Sequence, residues 1–300
     1  MEMEKMKLIV PALLAVIVIS GCGKKMQEQP VAVWVIGEVT LQKSIGSIGS
    51  LKVGDKLEAG DEITTSAYSH AAVQIGNEIM VKIDRNSTLS ISRLMAGKEH
   101  EVFLKTGKVF SKVKRLRPGV EFRIKTPSIT ASVRGTSFSV SSAKAVQKVA
   151  VAEGLVKVSR EKSEAVTEVA KDAQAGTTIV ITETVKEQPI SEIEKLEIQR
   201  VSIVPFMKGS EALKGKEYDL MVDKLGEQHD DIDEKIKKAD VPKSLTEVKQ
   251  KYGRVDEITL YNGKVYKGVI LKRGATYTIL TTGGKVYVPK KNVRSTRVVR

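Results

Sequence analysis

Cysteine, histidine and aromatic side chains are all scarce in this chain of 300 residues: one Cys, three His at 70, 100 and 229, one Trp, seven Tyr and five Phe. A single cysteine excludes an internal disulfide framework, a Cys-based zinc site and an iron–sulfur cluster. Three scattered histidines leave little for His-based metal or acid–base chemistry, so no cofactor is expected. With aromatics at 4%, a core must be built mainly from Val, Ile and Leu, a mix that favours β structure. Apolar residues still make up 41%, enough for one or two globular cores. No apolar run reaches the roughly 18 residues that a membrane-spanning helix needs.

The longest such run, Leu8 to Ile19, follows Lys5 and Lys7 and ends at Ser20, Gly21 and Cys22. A basic start, a short apolar stretch and small residues make a secretion signal over residues 1–21. As a helix the run spans roughly 18 Å, well short of the ~30 Å hydrocarbon layer. Ile19-Ser20-Gly21-Cys22 resembles a bacterial lipobox, which implies diacylation at the Cys22 sulfur and a lipidated tether over residues 22–30. More than one acyl chain holds a protein stably on a bilayer, since each buried CH₂ contributes about 0.8 kcal/mol. Gly23, where inner-membrane retention signals carry Asp, points to the outer membrane. Glu2 and Glu4 are unusual this early in a signal, so Met6 is an alternative start.

From Val31 the texture changes to short Val/Ile-rich runs divided by Gly-Asp, Gly-Lys and Ser-rich turns. They include VAVWVI at 31–36, AAVQI at 71–75, IMVKI at 79–83, TLSIS at 88–92, KVFSKV at 108–113, EFRIK at 121–125 and TTIVIT at 177–182. Phe122 and Ile124 alternate with Arg123 and Lys125, the period of a half-buried strand. The fold class is mainly β, with one all-β domain over 31–183, solenoid-like or sandwich. Over 184–254 the period becomes helical: Met221, Leu225, His229, Ile232 and Ile236 share one stripe, Ser244 and Glu247 suit a capping box, and Gly253 a stop. This connector carries 14 basic and 17 acidic residues between 184 and 260. Residues 255–300 return to five short strand candidates with turns at Asn262-Gly263, Arg273-Gly274 and Gly283-Gly284. They suit a small five-stranded SH3-like barrel.

Four sets of residues carry a family resemblance over most of 33–182. They are Trp34 with Gly37-Glu38-Val39; Val53 to Leu57 with Ala59 to Thr65; Gly107-Lys108-Val109-Phe110; and Thr126-Pro127 leading to Ala131-Ser132-Val133-Arg134-Gly135-Thr136-Ser137-Phe138, with Val151 to Val156 closing the pattern. This region resembles the FecR domain of bacterial envelope proteins. The resemblance implies an all-β periplasmic fold that binds a ligand or partner without catalysis. FecR itself relays a signal to a cytoplasmic sigma factor through a cytoplasmic N-terminal domain. With only a few residues ahead of the signal, that route is not expected here.

Charge is segregated. Residues 101–160 hold 13 basic and 3 acidic residues and residues 261–300 hold 10 basic and none acidic, within a formal net charge of +14. Lys112, Lys114, Arg115, Arg117, Arg123 and Lys125 fall in one expected hairpin and are candidates for binding an anion. Arg134, Gly135 and Thr136 read as a structural motif, with Gly135 at a positive φ or a bulge. Nucleic acid is a poor partner, because no aromatic residues alternate with these charges as stacking platforms. Anionic glycan, peptidoglycan carboxylates or lipid headgroups remain. Lys105-Thr106-Gly107 and Ser159 to Lys162 copy penicillin-binding-protein boxes in reversed order without the third box. His229 lies on the apolar stripe, away from Asp230, Asp231 and Asp233, so a metal site is not expected there. Asp55 and Asp61 read as turn residues. The chain is thus expected to be a non-enzymatic, lipid-anchored envelope protein that binds or scaffolds. The alternative is a signalling lipoprotein acting through a membrane protein partner.

Overall fold

A computed structural model describes residues 29–95, 99–162, 166–208 and 213–299. The signal, Cys22 and the tether up to residue 28 lie outside the described residues.

The first strands are β1 (Val31–Ile36), β2 (Val39–Gln42), β3 (Ile48–Ser50), β4 (Glu62–Thr65), β5 (His70–Ile75), β6 (Ile79–Ile83) and β7 (Ser87–Met95). A long strand, β8 (Glu99–Val113), follows, then β9 (Glu121–Lys125), β10 (Ile129–Val133), β11 (Thr136–Ala143) and β12 (Val146–Glu153). The domain ends with β13 (Leu155–Lys162), β14 (Val166–Gln174), β15 (Thr177–Ile181) and β16 (Val185–Pro189).

These strands form two layers that share β8. The first half of β8 lies in sheet B, ordered β3-β2-β4-β7-β8-β9-β10-β13-β14; its second half lies in sheet A, ordered β1-β5-β6-β8-β11-β12-β15-β16. The change of sheet falls at Gly107, at φ +95°, where a Cβ would come within 2.5 Å of the Ser87 Cα. Only glycine tolerates both that dihedral and that approach. Between the layers sits a core of Val, Ile and Leu with Phe122 and Phe138. The alternation read in β9 holds: Phe122 and Ile124 are fully buried, whereas Arg123 and Lys125 are part-exposed.

The expected hairpin from Lys112 to Lys125 does not form. β9 runs parallel to β8, with Glu99 opposite Glu121 and Glu101 opposite Arg123. Because β8 leaves sheet B at Gly107, the chain must cross back over residues 114–120 before it can pair again. A turn signal at Pro118-Gly119 looks the same whether the chain reverses or crosses over.

Beyond β16 come α1 (Glu192–Ser202), α2 (Gly215–Ala239) and α3 (Leu245–Tyr252). Ser191 and Glu194 close a full capping box on α1. Ser244 caps α3 through the Glu247 amide, but the Glu247 carboxylate accepts from the Lys243 amide, so that box is only half formed. Gly253 ends α3 at φ +74°. α1 and α2 cover the outer face of sheet A, packing Ile198 and Val201 on Val33, Trp34, Met80 and Phe110. With both faces covered, β6 is buried along its whole length rather than alternately.

The C-terminal strands are β17 (Val255–Leu260), β18 (Val265–Lys272), β19 (Thr276–Thr281), β20 (Gly284–Pro289) and β21 (Val293–Val299). They form an antiparallel sheet ordered β20-β19-β18-β17-β21, the last strand lying beside the first. Ile258, Ile270, Ile279 and Val288 cluster within it. Val248 of α3 packs against Val255, Val269 and Leu280.

Candidate functional site

Arg134 and Gly135 form the bend by which the chain passes from β10 in sheet B to β11 in sheet A. Three crossings meet there. The Leu116 amide donates to the Arg134 carbonyl at 2.6 Å, and the Thr136 hydroxyl donates to the Leu155 carbonyl at 3.0 Å. A Cβ on Gly135 would stand 3.1 Å from the Arg115 Cα. Of the two backbone shapes expected at Gly135, a positive φ or a bulge, it does not adopt the positive φ. That role belongs to Gly154, at φ +85°, whose missing Cβ leaves room for the Gly135 carbonyl oxygen and the Thr136 side chain. The motif is therefore a packed crossing, and it leaves the Arg134 side chain exposed.

Two concavities adjoin at this crossing. One, of about 670 Å³, is lined by Arg123, Lys125, Ser132, Arg134, Lys157 and Ser159. The other, of about 440 Å³, is lined by Lys112, Arg115, Arg134, Ser137 and Glu153. Register explains the first: Ser132 of β10 lies opposite Arg123 of β9 on one side and Lys157 of β13 on the other. Paired residues share a sheet face, so the three form one cross-strand row.

The six residues singled out by charge do not form one patch. Arg123 bridges Glu99 and Glu121, and Lys125 Nζ lies 3.7 Å from Glu101 Oε2, so acids supplied by β8 and β9 largely neutralise them. Lys112 Nζ donates to the Ser202 carbonyl at 3.0 Å. Lys114 Nζ donates to the Asn77 carbonyl at 2.9 Å and lies 3.9 Å from the Phe206 ring centroid. Arg117 is exposed on the crossing segment and lines neither concavity. Arg115 lines the second concavity with Arg134. Arg115, Arg134 and Lys157 have no carboxylate partner among the described residues. Lys157 belongs to the basic stretch 101–160 but not to the six candidates, because it lies beyond the dense cluster from Lys112 to Lys125. The alternation Val156, Lys157, Val158 marks it as outward, but only the β10–β13 pairing brings it to Arg134.

The remaining motifs are structural. Asp61 is fully buried and accepts from the Ser44 amide at 3.0 Å, the Glu58 amide at 2.9 Å and Lys43 Nζ at 2.8 Å. Burial alone would raise its pKa, but Lys43 and the two amides outweigh that and hold it below the usual carboxylate value. Asp55 caps its own turn through the Lys52 amide. Lys105 pairs with Glu62, and the Ser159 hydroxyl reaches the Thr130 carbonyl. Among the described residues, no three His, Cys, Asp or Glu side chains are grouped to hold a metal. No helix among them is long and apolar enough to cross a membrane.

Residues 61–157 match the family model described as FecR protein. This stretch is a FecR domain. The FecR domain is shorter than the resemblance over 33–182, yet β1, β2 and β3 before it and β14, β15 and β16 after it complete the same two sheets. Two crystal structures of a "putative anti-sigma factor" from Parabacteroides distasonis, at 2.50 and 1.65 Å, resemble the chain with a TM-score of 0.38 and 19% identity. Each match covers 47% of this chain and 62% or 63% of theirs, less than two thirds of those proteins. No curated protein matches the chain. Arg115, Arg134 and Lys157 all lie within the FecR domain, Lys157 at its last residue, whereas Trp34, α1 and α2 lie outside it.

Proposed function

We propose that this chain is a non-catalytic envelope protein, lipid-anchored through Cys22, whose FecR domain binds an anionic envelope polymer across the surface centred on Arg134. The supporting observation is that Arg115, Arg134 and Lys157, without carboxylate partners among the described residues, line two adjoining concavities. Cations on concave surfaces concentrate polyanions, and exposed charges act over about 8 Å at physiological ionic strength. Glu153 faces the second concavity but is engaged by the Ser137 hydroxyl at 3.1 Å. The lipid places the domain at the outer membrane, where such a polymer is in reach. We read the C-terminal sheet as an SH3-like barrel, from its strand order, whose basic surface adds to the attraction.

Isolated peptidoglycan serves as the probe. Binding should fall steeply between low and high salt, and the triple reversal Arg115→Glu, Arg134→Glu, Lys157→Glu should weaken it at least about tenfold, or ~1.4 kcal/mol. Binding that ignores both salt and the reversal rejects the site. Binding to anionic liposomes but not to peptidoglycan would identify a headgroup ligand instead. A second reading, a signalling role through a membrane protein partner, is supported by the FecR match itself. Cross-linking in intact cells that captures one membrane protein through the FecR domain would favour it.

A further inference from the structure

Sheet A hides charge beneath α1 and α2. Lys82 of β6 is only 1% exposed, and its ammonium lies 5.2 Å from the Trp34 ring centroid. The imidazole of His229, on α2, stacks on the same indole at 4.8 Å between centroids and 20° between planes. Trp34 Nε1, His229 Nε2 and Arg200 Nε are buried without a hydrogen-bond partner. Groups of this kind are costly to bury unsatisfied.

The charges around the stack come from every element packed there. β5 supplies His70, whose Nδ1 lies 3.2 Å from Asp84 Oδ1; β6 and the residue after it supply Lys82 and Asp84. β8 supplies Lys108, paired with Glu197 of α1, and Arg200 of α1 pairs with Asp233 of α2. Below the Lys82 pKa of about 7, Lys82, Lys108 and Arg200 balance Asp84, Glu197 and Asp233 while His229 is neutral. One more proton on His229 gives the cluster a net positive charge beside the buried Lys82.

We propose that α2 is an acid-releasable cover on the outer face of sheet A, in which protonation of His229 breaks its stack on Trp34 and lifts the helix from Lys82. Other contacts set what stays behind. Met207, between the helices, is pinned by reciprocal bonds to the Gln74 amide, at 2.7 and 2.9 Å, and these do not titrate. α1 therefore remains docked, whereas α2 moves only by also breaking the bond from the Tyr218 hydroxyl to the Val33 carbonyl, 2.9 Å. Because α2 leads into α3 and α3 packs on the C-terminal sheet, release also frees the placement of that sheet.

The direction of the pH dependence follows from the site. Burial, then Lys82, Arg200 and His70, push the His229 pKa from 6.5 down to about 3 in the covered state. The His229 contribution to covering is thus fully present above pH 6.5 and weakens by about tenfold per pH unit below it. This inference does not depend on the anion-binding reading.

Trp34 is the only tryptophan, so its emission reports the cover directly. The test follows Trp34 emission and amide hydrogen exchange in the full chain from pH 7.5 to 4.5, with the His229 variants below as the control for carboxylates that begin to titrate near its lower end. Between pH 6.5 and 4.5, protection of α2 should drop by up to about 100-fold after correction for intrinsic exchange, while β11 keeps its own. His229→Phe keeps a stacking ring without a titrating nitrogen and should remove the dependence; His229→Gln serves if the Phe variant does not fold. Unchanged α2 protection in the wild type, the same loss in the variants, or simultaneous loss in β11 would each overturn the proposal.

Discussion

The carbonyl oxygen of Gly135 occupies the space that a side chain at Gly154 would need, which locks the β10–β11 bend against the β12–β13 turn. Both glycines belong to the FecR domain, and their contact holds the backbone that presents Arg134. Gly154→Ala should therefore destabilise strongly, since it adds strain at φ +85° to a collision with backbone. The expected loss is at least ~2 kcal/mol. Gly135→Ala meets only the Arg115 Cα, at 3.1 Å and an ordinary φ, and should cost less. Urea denaturation of both variants gives the order; equal losses would mean that the crossing relaxes.

Asp61→Asn should remove about 1–3 kcal/mol, because the buried carboxylate receives two amides and the Lys43 ammonium. Its folded pKa lies below the ordinary value of 3.8, so its contribution is fully present above pH 3.8 and is lost as pH falls through the folded value. The wild type should lose more stability than Asp61→Asn across that acid range. Parallel stability profiles would remove Asp61 from the account.

Lys82→Met should stabilise the chain at neutral pH. Burial foremost, with Arg200 next, lowers the Lys82 pKa from 10.5 to about 7, so the folded state binds fewer protons than the unfolded state between those values. Wild-type stability should therefore rise from pH 7 to pH 10.5, and the variant should lack that slope. A methionine of similar length leaves the ring contacts in place, and a gain of at least ~1 kcal/mol at pH 7.5 is expected by thermal or urea unfolding. A loss instead would show that the ammonium's attraction to Asp84, Asp233 and Glu197 exceeds its desolvation cost.

Cys22→Ser should leave an unprocessed precursor or release the protein from the membrane fraction, because the sequence offers no other apolar anchor. Detergent-phase partitioning of a mature-sized Cys22→Ser protein would disprove the lipid attachment. Sucrose-gradient fractionation of the wild type tests the outer-membrane placement; co-migration with inner-membrane markers alone would refute it.

Local pattern was enough to read the β character, the strands from VAVWVI to TTIVIT, the stripe on α2 and the stop at Gly253. These follow from period and turn chemistry, which are properties of a few neighbouring residues. The crossing of β8 between sheets was not legible, because a Gly in a strand marks a bend without saying which partners lie beyond it. For the same reason the six cations from Lys112 to Lys125 looked contiguous. Parallel pairing of β9 with β8 instead sets Arg123 and Lys125 beside Glu99, Glu101 and Glu121.

His229 shows the same division. Its place on an apolar stripe followed from helical spacing alone, and so did the separation from its neighbouring acids. That it lies on Trp34, 195 residues earlier, above a buried lysine, depended on how α2 docks. Composition and period determine which residues face inward, since burial of apolar surface drives both. Which charges meet, and whether they meet a counter-charge, a ring or water, was decided by strand register and helix docking, which bring together residues remote in sequence.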